Sequence, residues 1–206
     1  MVNLALTEPS ETVAGHESGD RIIRCGEQLY QLQPGSYWYL ASSTMGLLRH
    51  YVSLSEGICS SISMIASLPA LDGSVPHFGL RLMSEEKENA WESIRLLTDP
   101  RLPSRRHSAL LFDDESIARE AATRWFAPEV KHVLDVRIVW GTKLHLADAR
   151  WLECDEERWH DHAQAYWTGE MTNDPLPEVL VDGLVYFPSW RRPPFRLIRG
   201  LWTGGD

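Results

Sequence analysis

Glu178 heads a run of apolar residues, Glu178-Val179-Leu180-Val181, directly behind Pro177. A strand that carries this carboxylate would fix it in place, as a solvated loop would not. Prolines at 175 and 177 deny the preceding segment a helix and keep it extended, so Glu178 is expected to enter a sheet at its edge or mouth. Asp182-Gly183 and the apolar Leu184-Val185-Tyr186-Phe187 then give the stretch from Tyr166 to Phe187 the pattern of a hairpin, with Gly183 supplying the positive φ of a tight turn. A carboxylate fixed there could serve chemistry. The plain alternative is a charged strand edge that discourages pairing with another chain.

Other groupings carry less chemistry. His160 and His162 lie two apart and point away from each other on a helix, so with Cys154 they make a poor metal site, and no metal is expected. Arg191, Arg192, Arg196 and Arg199 occur with Trp190, Phe195 and Trp202 near the C-terminus. That pattern could contact RNA, but a net charge of −9 and the lack of a nucleic-acid module favour a surface strand or a protein-docking edge.

The elements that must position Glu178 fit one domain. The chain has 206 residues, of which 43% are hydrophobic and 24% charged, as in ordinary soluble globular proteins. Residues 1–20 read as a flexible leader and 21–206 as a single domain. Cys25, Cys59 and Cys154 have no paired spacing, which suggests free or buried thiols in a reducing cytoplasm. No secretory signal or membrane span is visible, although export by a machine that reads a disordered N-terminus stays open.

Taken in order, Ile22-Ile23 has short β character, Pro34-Gly35 is a turn, and Ser36–Ser42 is an aromatic strand. Helical pieces fit Leu47–Val52 and Ile58–Ala66. Ser84 caps a helix to about Leu97 with Ala90, Trp91, Ile94 and Leu97 on one face. Ser108–Phe112 is a short strand, and Asp113 or Asp114 caps a second helix with Ile117, Ala121 and Trp125 in a stripe. His132–Trp140 is a half-buried strand, Leu144–Cys154 is extended or turn-like, and Asp155 opens a third helix that Gly169 ends. Strands and helices mixed in this way predict an α+β domain on an antiparallel or split sheet.

The aromatic strand around Tyr39, Arg105-Arg106 before the strand at Ser108, Tyr166-Trp167-Thr168-Gly169, and Glu178-Val-Leu-Val-x-Gly-x-Val occur in an order that resembles a bacterial domain family of the ADP-ribosyltransferase superfamily. The resemblance spans residues 36–187. It implies split antiparallel sheets with flanking helices, NAD as substrate, and Glu178 as the catalytic glutamate at the start of a late strand. Tyr39 falls where a histidine is common on the adenosine side, and Ser108 is the residue that opens the second motif strand. Arginine-modifying members carry an acidic residue two positions before the catalytic one, and Leu176 stands there instead.

Cleavage of the nicotinamide–ribose bond builds positive charge on the sugar, which a carboxylate bound to a ribose hydroxyl stabilises. Tyr166 or Trp167 could stack on the nicotinamide, and Arg105 or Arg106 could pair with the diphosphate. The resemblance thus implies an effector or toxin that modifies a macromolecule; a host or competitor protein, ubiquitin and RNA ends are all acceptors in the superfamily, and the acidity of this chain disfavours RNA. Water as acceptor would make it an NAD glycohydrolase, and a catalytically silent protein-binding module of the same fold is the alternative from another class.

Overall fold

The computed structural model describes residues 21–42, 46–61 and 83–195. The leader read over residues 1–20, most of the helix read over 58–66, and the arginines from 196 onward lie outside the described residues.

Two strands, β1 (Arg21–Cys25) and β2 (Gln28–Leu32), form a separate antiparallel pair where the sequence showed one short β stretch. Then follow β3 (Tyr37–Ser42), α1 (Gly46–Leu54), β4 (Ile58–Ser60), α2 (Glu85–Thr98), β5 (Ala109–Phe112), α3 (Glu115–Phe126), β6 (Lys131–Ile138), β7 (Lys143–Asp148), two short 3-10 turns, α4 (Trp159–Thr168), β8 (Pro177–Asp182) and β9 (Leu184–Tyr186). Seven of the strands form an antiparallel sheet in the order β4-β9-β6-β3-β5-β8-β7. The fold is α+β, with four α-helices among the described residues.

Within this one sheet β6 changes partner along its length. Its residues 131–136 pair with β3, and Arg137 and Ile138 pair with β9. Because β8 lies between β5 and β7, it and β9 belong to different halves and do not pair, which overturns the expected hairpin. Asp182-Gly183 is instead the step from one half to the other. Leu184 N donates to Thr142 Oγ1 at 3.0 Å, and a Cβ on Gly183 would lie 2.7 Å from that oxygen, so the glycine is there for close approach.

Local signals fix the helices that cover the sheet. Ser84 Oγ accepts from Lys87 N at the start of α2, whose first-turn glutamates suit the positive end of the helix. Asp114 caps α3, and Gly169, with φ +77°, ends α4. Two local readings are corrected. Ile58 and Cys59 extend as β4 beside β9 rather than opening a helix, because strand partners are available there. On α2, Leu97 is 80% exposed; the buried face is Lys87, Glu88, Trp91, Ile94 and Arg95.

Strand alternation divides the core. Tyr39, Leu111, Val136, Val179, Val181 and Phe187 pack on one face with α1 residues and Phe195. Leu180 and Ala147 face the other way, with Trp91 of α2 and Ala163, Tyr166 and Trp167 of α4, while Leu40 and Phe112 meet α3 farther along that side. Glu178 shares the parity of Leu180. It therefore lies beneath α2 and α4.

Candidate functional site

Each side chain of the site is brought in by a different element. β8 supplies Glu178, α4 supplies Tyr166, the loop between α2 and β5 supplies Arg105, and α2 supplies Glu88. Glu178 is 0% exposed, in a strand flanked on both sides by others. This corrects the expected position at a sheet edge and also excludes the solvated edge carboxylate, while Glu178 remains at the entry end of its strand. Its register opposite Ala147, and the Leu180 beside it on the same face, place it against apolar neighbours on its own sheet.

Polar partners therefore have to come from above the sheet. Glu178 Oε1 accepts from both the Arg105 Nη1 and the Tyr166 hydroxyl in short contacts. Arg105 Nη1 also donates to the Tyr166 oxygen at 2.5 Å, and the guanidinium lies 5.3 Å from the centre of the Tyr166 ring. Arg105 Nε lies 3.7 Å from Glu88 Oε1 but makes no hydrogen bond among the described residues, and Glu178 Oε2 has none there either. One buried guanidinium thus serves two buried carboxyl groups, an arrangement that costs desolvation and stands only while its partners do.

Charge and burial set the proton affinities. Burial by itself would lower the Arg105 pKa, but Glu178 above all, with Tyr166 and Glu88, holds it above its ordinary value. Burial drives the Tyr166 hydroxyl well above its ordinary 10.0 against the pull of Arg105, so it stays a donor. His145 of β7 has Nε2 3.1 Å from the Tyr166 carbonyl oxygen and stacks on Trp167, and burial, the largest effect, lowers its pKa below 6.5.

Asp148, at the end of β7, anchors the way into β8. Its carboxylate accepts from Thr172 N at 2.8 Å, Thr172 Oγ1 at 2.7 Å, Leu176 N at 2.8 Å and Arg150 N at 2.9 Å. Burial opposes its ionisation, but these hydrogen bonds outweigh that and lower its pKa. The loop after α4 is thereby tied to β7 just before Glu178 enters the sheet.

Three of the expected residues meet: Glu178, Arg105 and Tyr166. Trp167 is beside them but its indole is committed, with Nε1 donating to the Trp91 carbonyl at 2.7 Å and His145 on its face. Neither it nor the fully buried Tyr166 offers an open platform to a nicotinamide ring in this conformation. Arg106 turns outward to Asn89 at 2.6 Å. Ser108 is buried just before β5, and the β5–β8 register puts it four residues along the strand from the level of Glu178, about 13 Å. Tyr39 packs on the opposite face against Phe187, so it does not join the cluster.

Sequence reasoning missed Glu88, His145 and Asp148. Glu88 could have been found from helical spacing, since it falls on the stripe of Trp91 and Arg95.

Residues 70–188 match the model of a family described as Protein of unknown function (DUF2441), and the chain belongs to that family. The match contains Glu88, Arg105, Ser108, His145, Asp148, Tyr166 and Glu178 but not Tyr39. No curated protein matches the chain. Among the described residues, no helix is long and apolar enough to cross a membrane.

Proposed function

We propose that this chain is a mono-ADP-ribosyltransferase that moves ADP-ribose from NAD to a macromolecular acceptor, a protein first, with Glu178 as the carboxylate that serves the reacting ribose. One observation carries the reading: Glu178 is fixed on a strand paired on both sides, with the Tyr166 hydroxyl on Oε1, while Oε2 has no hydrogen-bond partner among the described residues. A carboxylate oxygen held this way is preorganised to accept from a ribose hydroxyl.

In the reaction the bond from ribose C1′ to the nicotinamide nitrogen breaks, and its electron pair neutralises the pyridinium. Positive charge spreads over C1′ and the ring oxygen, where the negative carboxylate stabilises it. The acceptor nucleophile bonds to C1′ and gives up its proton, to solvent or to a base on the acceptor. Leu176, two positions before Glu178, counts against arginine as acceptor. The resemblance to effector and toxin domains supports a host or competitor protein, ubiquitin among them, and water would give the glycohydrolase.

The complete burial of Glu178 and its pairing with a cation favour a second reading, a catalytically silent module of the same fold whose polar cluster only organises the core. Purified protein incubated with NAD, with and without cell lysate, separates them. Nicotinamide release that depends on lysate and disappears in Glu178→Gln is the transferase result. Release without lysate means water is the acceptor, and no release under either condition leaves the silent module.

A further inference from the structure

We infer that the Arg105–Glu178 pair is a latch that a diphosphate opens, so that ligand binding and exposure of the carboxylate are one event. The ligand class rests on the NAD reading, but the latch itself is read from geometry. A guanidinium pairs best when two of its N–H groups meet two oxygens in one plane. Arg105 does not have that arrangement: Nη1 alone bonds Glu178, and Nε, 3.7 Å from Glu88, has no hydrogen bond among the described residues. A phosphate group offers two oxygens to the same fork, so two in-plane bonds, one of them from the unsatisfied Nε, would replace the two that Nη1 alone makes to Glu178 and the Tyr166 hydroxyl.

Of the partners, Arg105 is the one outside the helices and strands. Glu178 is in a strand paired on both sides, and Tyr166 is in α4, whereas Arg105 sits in a loop. That loop is tied to α2 by polar contacts: Arg95 Nη1 to the carbonyls of Pro100 at 3.0 Å and Leu102 at 2.7 Å, Ser104 Oγ to Glu92 at 2.9 Å, and Arg106 to Asn89 at 2.6 Å. When Arg105 leaves for a phosphate, Glu178 keeps the Tyr166 hydroxyl and loses the positive charge that opposes its work on a cationic sugar. Without the diphosphate, the carboxylate stays neutralised and sealed.

Carbodiimide coupling of an amine to Glu178, followed by peptide mass spectrometry, reads the latch directly. ADP is the probe, since it has the diphosphate but no nicotinamide, and adenosine is the control. The latch predicts slow labelling of Glu178 in the free protein, a rise of about an order of magnitude with ADP, and no rise with adenosine. In Arg105→Lys, which keeps the charge but loses the fork, the response to ADP disappears.

Labelling that ADP leaves unchanged or suppresses overturns the latch, as does a full ADP response in Arg105→Lys. The outcomes are separable from those of the transferase reading. An ADP response without nicotinamide release keeps the latch in a silent module, while nicotinamide release without an ADP response keeps the transferase and removes the latch.

Discussion

The two faces of one sheet have opposite chemistry. Beneath α2 and α4, Glu178 meets Arg105, Tyr166 and Glu88; on the other face the next residue, Val179, packs with Tyr39, Leu111 and Phe187. Because neighbouring residues on a strand point to opposite sides, adjacency in sequence says nothing about sharing a site. The helix-covered face depends on partners that must all be present, and the apolar face on shape and volume. Substitutions on the two faces should therefore fail in different ways.

The largest difference is expected from Arg105→Met. It leaves two buried carboxyl groups without their cation and should lower unfolding free energy by about 3–5 kcal/mol in urea denaturation. A loss under about 1 kcal/mol would mean that the cluster contributes little to the fold.

Asp148→Ala comes next. It strands the backbone N–H groups of Thr172 and Leu176 and should cost about 2–3 kcal/mol, with hydrogen exchange fastest in the loop before Glu178. Tyr166→Phe removes only the hydroxyl that bridges Arg105 and Glu178, for about 1–2 kcal/mol. Phe187→Leu, on the apolar face, should cost about 1 kcal/mol and leave any nicotinamide release unchanged at temperatures where the protein is folded.

The remaining effects are those of pH, and they also sort by face. His145 has its pKa lowered by burial, so below 6.5 the unfolded chain takes up a proton that the folded one resists. Its contribution is full above 6.5 and is lost as pH falls, and His145→Phe should flatten that part of the stability curve. On the apolar face, burial pushes the Cys59 thiol up to about 12 from 9.0. Its contribution is full below 9.0 and is lost as pH rises toward 12, and Cys59→Ala should remove it.

The sequence was most legible where signals are local. Ser84, Asp114 and Gly169 mark helix ends through their own short-range bonds and dihedrals, and Glu178-Val-Leu-Val reads as a strand from its residues alone. It was least legible where pairing is distant. Asp182-Gly183 has the same local chemistry in a hairpin as in a step between sheet halves, and only the partners β5, β6 and β7 decide which occurs. Arg105 and Arg106 cannot be told apart by type. One turns inward because the buried carboxyl groups of Glu88 and Glu178 lie on that side of the loop, and the other turns out to Asn89.

The most direct measurement is nicotinamide released from NAD in the presence of acceptor lysate by wild-type protein and by Glu178→Gln, with a melting curve taken on each same sample. An NAD site organised around Glu178 predicts release by the wild type that falls by about a hundredfold or more in a variant that is still folded at the assay temperature. Equal release from the two folded proteins, or none from the wild type with any acceptor, would contradict it.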